Sequence, residues 1–123
     1  MNFFKLLMTS LSFVILINAN SFAADAAKGK KVYTKCKACH NAEEPKNKIG
    51  PHLVGIVGRK SASVDSYTKY SDALKGANIV WDEANLNTWL ENPKGMYKGT
   101  KMLYPGLKKE QDRLDVIEYL KTK

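Results

Sequence analysis

Apolar residues recur at helical spacing in four stretches of the chain, and the segments between them have no such period. After Asp25, a residue suited to cap a helix, Gly29, Val32, Tyr33 and Cys36 fall at i, i+3, i+4 and i+7, while Lys28, Lys30, Lys31 and Lys35 take the other faces. That spacing predicts a helix over 26–38. Ser71–Lys75, closed by Gly76, predicts a short one. Leu86, Trp89 and Leu90 share a face over 82–91, and Pro93 stops that helix at Asn92. Over 109–121, Leu114, Ile117 and Leu120 point inward and Glu110, Asp112 and Glu118 outward. Pro45, Gly50-Pro51, Gly55 and Gly58 punctuate residues 41–70, and Gly99, Pro105 and Gly106 punctuate 95–107, so both read as loops. No strand-like alternation runs over even five positions. The fold class is all-α.

A further apolar run has a different meaning. Lys5 and the amine of Met1 precede Leu6–Ile17, and a small, polar stretch follows to Ala23, with Ser21 and Ala23 at the −3 and −1 positions of a cut. This is the three-part pattern of a secretory signal peptide. An uncleaved anchor is the competing reading, but a span of the ~30 Å bilayer core takes about 20 apolar residues, more than this run supplies. The expected organisation is a signal peptide, 1–23, cleaved after Ala23, then one domain, 24–123, in the periplasm.

The whole chain has 123 residues, which suits one domain, and 20 basic against 12 acidic residues give a net charge of +8. Lys5 is the only charge in 1–23, so 19 basic and 12 acidic residues remain and the domain carries +7. Nothing in the composition matches collagen, a solenoid or a multi-span membrane protein. Four modest helices and a loop of some thirty residues bury little apolar surface, and domains this small are marginal even when compact. Long irregular stretches inside a compact domain are usually functional. A large, flat, apolar cofactor at the centre would answer both difficulties.

Cys36-Lys37-Ala38-Cys39-His40 supplies the means of holding one, because Cys-x-x-Cys-His is the attachment pattern of c-type haem. Two thiols three residues apart near a helix end can each add to a vinyl group on one porphyrin edge, and His40 beside them can reach the iron. A thioredoxin-like redox pair would need a βαβ context, and a zinc site a further ligand. A local Cys36–Cys39 disulfide leaves His40 and the thin core unexplained. The occupant of the sixth iron position separates a carrier from a catalyst. With the leader removed, Met96 and Met102 are the remaining methionines and His52 the other histidine. Met102 lies in a glycine-bounded loop able to fold over a ring and is the first choice. Met96 fits as core filler, and His52, a lysine or an open position stay as alternatives.

Taken in order, Gly29–Tyr33, Cys36–His40, Gly50-Pro51-His52-Leu53, Gly58-Arg59-Lys60, Trp81, Leu90–Lys94, Gly99–Met102, Arg113-Leu114 and Tyr119-Leu120 closely resemble a class I cytochrome c of the soluble mitochondrial or bacterial type. The resemblance covers essentially all of 24–123. It implies one haem c per chain, bound through Cys36 and Cys39, with His40 and Met102 as the axial ligands. It implies that the Pro51 carbonyl accepts the second N–H of His40, that Arg59, Tyr70, Trp81 and Thr100 surround the haem propionates, and that Gly29 lets the first and last helices cross against Tyr119. Three positions depart from the family pattern. Trp89 stands where mitochondrial members carry a tyrosine, Leu74 where an asparagine is common, and Tyr104 where a phenylalanine is common.

The function implied is one-electron shuttling between Fe(III) and Fe(II), not enzyme catalysis. The alternative is a haem protein with a labile or open sixth site, acting as a peroxidase or gas binder. Lys35, Lys37, Lys94, Lys98, Lys101, Lys108 and Lys109 lie near the motifs expected to rim the haem edge, which suits acidic docking surfaces. The partners expected are membrane redox complexes (a quinol-oxidising complex, a terminal oxidase, a photosynthetic reaction centre) or a peroxidase, with anionic lipid as a secondary surface. Nucleic acid is not expected, since no basic stripe carries interleaved aromatics. The protein is expected to be a monomer.

Overall fold

A computed structural model describes residues 12–15 and 23–123. The predicted leader therefore lies outside the described residues, except for 12–15 and Ala23. The described residues hold five helices: α1 (Ala26–Tyr33), α2 (Asp72–Lys75), α3 (Glu83–Glu91), α4 (Pro93–Met96) and α5 (Glu110–Lys121). A lone antiparallel bridge between Lys60 and Val80 is the only β pairing among the described residues, and the all-α class holds. No helix among them is long and apolar enough to cross a membrane.

Four of the five helix starts among the described residues have a side-chain cap, and α5, which follows Lys109, has none. The Asp25 carboxylate accepts from the Ala27 and Lys28 amides at 2.8 and 3.1 Å, Ser71 Oγ from Leu74, and Asp82 Oδ1 from Asn85. These side chains satisfy amides that a helix leaves unpaired in its first turn. Two boundaries differ from expectation. The first helix ends at Tyr33 rather than 38, because the amides of Thr34, Lys35 and Cys36 turn to the carbonyls three residues back and Thr34 Oγ1 takes the Lys31 carbonyl. That tightening winds the chain into the Cys36–His40 turn. Pro93 does end α3, but it also begins α4 within the stretch expected to be loop, since proline loses nothing at a first helical position and Asn92 Oδ1 caps the Gly95 amide.

Helices α1 and α5 cross in close contact. A Cβ on Gly29 would overlap the Asp115 carbonyl, and Tyr33 packs on Tyr119 with ring centroids 5.4 Å apart. Asp115 is buried in this crossing, where its carboxylate accepts the Asp25 amide at 2.9 Å and the Gln111 side chain at 2.8 Å. The inward face of α5 is broader than its periodicity suggested: Val116, Ile117, Tyr119 and Leu120 are buried, whereas Leu114 is only half-buried. The reason is that α5 is covered by α1 on one side and by α3 on another. Arg113 is buried too, bonded to Asn87 at 2.6 Å and to the carbonyls of Leu107 and Lys108.

Replacing Gly29 by valine forces the two helices apart. The variant should lose about 1–3 kcal/mol of stability, the usual cost of overpacking, seen as a lower guanidinium midpoint with an unchanged slope.

Candidate cofactor site

The interior is not filled by the chain's own side chains. A cavity of about 590 Å³ lies at the centre, within the range of ligand and cofactor pockets. Leu86, Trp89 and Leu90 of α3 and Val116 and Leu120 of α5 line it, together with Leu53, Ile56 and Trp81. Such walls exclude water and bind a flat apolar group by area alone. Four lysines, Lys35, Lys60, Lys69 and Lys101, stand exposed at its margin.

Cys36, Cys39 and His40 face this cavity together. Their turn is closed by the Cys39 and His40 amides on the Cys36 carbonyl, at 3.2 and 3.0 Å, and is tied to the next segment by the Gly50 amide on the Cys39 carbonyl. Cys36 and Cys39 are not joined in a disulfide, and the described residues contain no group of three or more His, Cys, Asp or Glu able to complete a zinc site. Before attachment, burial, with the neighbouring Cys39 second, pushes the Cys36 thiol up to about 11, which disfavours the thiolate that disulfide exchange needs.

His40 is held by its own backbone context. Nδ1 lies 2.7 Å from the Pro51 carbonyl, which can only accept, so Nδ1 carries the proton and Nε2 keeps a free lone pair. This is the placement that the family resemblance implies. Burial is the largest cause of a lowered His40 pKa, with Lys48 adding to it and the Pro51 bond opposing it, which keeps the ring neutral as a ligand must be. The ring rests on Gly50, where a Cβ would run into Cε1, and the Tyr33 hydroxyl donates to the His40 carbonyl at 3.1 Å.

The other expected residues converge on the same space. Arg59, Tyr70, Trp81, Trp89, Thr100 and Met102 all line the cavity, as do Leu74 and Tyr104 from the three departures. Trp81 and Trp89 pack at 5.4 Å. Thr100 is buried and accepts the Met102 amide on Oγ1 at 3.3 Å. Arg59 bonds the carbonyls of His52, at 2.8 Å, and Val54, and none of the five ion pairs among the described residues includes it. Tyr67 was not anticipated: it lines the cavity, meets Tyr70 edge-on at 4.8 Å and donates to the Ile49 carbonyl at 2.7 Å. Its spacing of three from Tyr70 was the one available hint. Of Met96, Met102 and His52, only Met102 lines the cavity, and the lysines that reach it, the other alternative for the sixth position, stand exposed at its margin.

A large apolar cavity with two thiols, a proton-fixed imidazole and a thioether fits a covalently bound haem. The chain belongs to the cytochrome c family, whose model, described as Cytochrome c, matches residues 26–123. It is 45% identical over 115 residues to cytochrome c-554 of Methylosinus trichosporium, covering 93% of this chain and 86% of that one. It is also 45% identical over 107 residues to cytochrome c2 of Rhodomicrobium vannielii, covering 85% of each. The solved structure of cytochrome cH from Methylobacterium extorquens superposes with a TM-score of 0.77 at 47% identity, covering 81% of this chain and all of that one. These are class I cytochromes c, and the cofactor is haem c, attached through the Cys36 and Cys39 pair.

Gly50→Ala presses a methyl group against the His40 ring. It should cost roughly 1–3 kcal/mol of stability in the haem-loaded protein by denaturant titration and shift the His40 ring resonances.

Proposed function

We propose that the chain is a periplasmic one-electron carrier with His40 and Met102 as the axial ligands of its haem c. The observation that carries this reading is that Met102, and neither Met96 nor His52, shares the cavity with Cys36, Cys39 and His40. The bound haem supplies a single-electron Fe(III)/Fe(II) couple. Everything else is done by the polypeptide. Cys36 and Cys39 fix the group covalently, and the Pro51 bond directs the His40 Nε2 lone pair into the cavity. Thr100 holds the Met102 backbone, and a soft thioether together with apolar walls favours the less charged, reduced state. With His40 and Met102 both holding the iron, no coordination site would be left open for a small-molecule substrate, and a rigid site would rearrange little when one electron passes.

The signal-peptide reading of residues 1–23 supports export and a free domain from Ala24 onward. Arg59, Tyr70, Trp81 and Thr100 are assigned to the propionate side, where Arg59 has no carboxylate partner of its own among the described residues. Lys35, Lys37, Lys94, Lys98, Lys101, Lys108 and Lys109 are all exposed and none belongs to an ion pair among the described residues. A monomer with this unneutralised positive rim suits brief encounters with acidic faces of membrane redox complexes or a peroxidase, and with anionic lipid more weakly.

Met102→Ala should abolish the weak sulfur-to-iron absorption band of the oxidised protein and open the reduced protein to carbon monoxide, while Met96→Ala changes neither. A native protein that lacks the band and binds carbon monoxide readily overturns the carrier reading in favour of a peroxidase or gas binder. The charge-reversed variant Lys35→Glu, Lys98→Glu, Lys101→Glu should be oxidised by membranes of the source organism about tenfold or more slowly at low ionic strength, with a flattened salt dependence in stopped-flow traces.

A further inference from the structure

His52 does not itself line the cavity, and the one charged side chain bearing on it among the described residues is Arg59, which does. The Arg59 guanidinium spans the two. One nitrogen donates to the His52 carbonyl at 2.8 Å, and the other donates to the Val54 carbonyl and approaches His52 Nδ1 at 3.4 Å. A guanidinium has only donors, so the contact with Nδ1 exists only while that nitrogen is an unprotonated acceptor. On its other side His52 is tied through its backbone amide to Asn47 Oδ1, an uncharged group, at 3.0 Å. Tyr70 is the titratable group facing Arg59. Among the described residues the imidazole is thus held against one cation with no side-chain carboxylate bearing on it, and the haem propionates would meet that cation from the cavity side, across the guanidinium from His52.

We propose that His52 is a proton-linked positioning residue for Arg59, so that a proton taken up at His52 is felt as added positive charge at the cofactor cavity through the guanidinium. This rests on the haem-carrier reading above. With His52 neutral, Nδ1 and two carbonyls hold the Arg59 fork in place. Protonation removes the acceptor and sets two cations side by side, both near a centre whose oxidised form carries one more positive charge than its reduced form. Positive charge there favours the electron. The midpoint potential should therefore rise as pH falls through the His52 titration. By the reciprocity of linked equilibria, His52 must hold its proton more tightly in the reduced protein than in the oxidised one. Burial and the Arg59 charge both lower the His52 pKa from the usual histidine value, consistent with this crowding.

The experiment needs no variant to begin. Ring resonances of His52 in the haem-loaded protein are titrated by NMR in both redox states, and the midpoint potential is followed against pH by spectroelectrochemistry. The expected result is a His52 titration at lower pH in the oxidised state and a potential that climbs over the same interval. His52→Asn should flatten that part of the pH profile while leaving the absorption spectrum and the sulfur-to-iron band unchanged. Arg59→Met should move the His52 titration upward and shrink the difference between redox states, and Arg59→Lys should restore part of both. A redox-active protein whose His52 titrates identically in the two states, or whose profile survives His52→Asn, overturns the proposal alone. A protein with no redox couple overturns the carrier reading instead.

Discussion

The contact on which the rest depends is the crossing of α1 over α5 at Gly29. The two backbones meet so closely that no side chain fits between Gly29 and the Asp115 carbonyl, and a buried carboxylate in that crossing is satisfied by the Asp25 amide and Gln111. Because α1 winds directly into the Cys36–His40 turn, and Val116 and Leu120 of α5 form part of the cavity wall, this one crossing sets the attachment turn against the back of the site. The tail of the chain reinforces it: the Lys123 ammonium reaches Glu43 and lies 5.1 Å over the Tyr119 ring, and the Lys123 carbonyl takes the Gly55 amide. That partly exposed ion pair adds little alone, but it closes the loop after His40 onto the last helix.

The parts legible in the sequence were those governed by short-range rules. The capping side chain at Asp25, the face of Leu86, Trp89 and Leu90, and the Cys-x-x-Cys-His spacing each depend on neighbours within a turn or two. The shape of the interior was legible only as a deficit, since too little apolar surface for too many residues implied a large inserted group. What periodicity could not show is that α5 is packed from more than one side, which buries Val116 and Tyr119 and leaves Leu114 half-exposed. Nor could it show that α1 tightens after Tyr33 or that Pro93 serves as both a stop and a start. The cavity residues from loops, Tyr67 and Arg59 among them, are placed by contacts across the fold, and only the order of family motifs pointed to Arg59 and Tyr70.

Charge is segregated in the same way as shape. The lysines that find carboxylates, Lys46, Lys75, Lys121 and Lys123, lie outside the group expected at the haem edge, while the seven lysines of that group have no ion pair among the described residues. Around the cavity the exposed apolar side chains Ile49 and Leu103 sit beside Lys35 and Lys101. Unpaired cations draw a partner from a distance without binding it tightly, and a small apolar contact at the centre can then be made and broken quickly.

The segment bearing Met102 is strung between two fixed points. At one end Thr100 is buried and holds the Met102 amide; at the other the Leu107 amide bonds the Leu90 carbonyl at 2.7 Å, and Gly106, at φ +109°, lies where a Cβ would strike the Glu91 carbonyl. Neither anchor belongs to the helix crossing. The number of residues between them therefore acts as a gauge for where the sulfur sits, adjustable by a single insertion or deletion while α1 and α5 stay as they are. The placement of the Met102 side chain and resistance to unfolding become separately tunable properties of the same small scaffold.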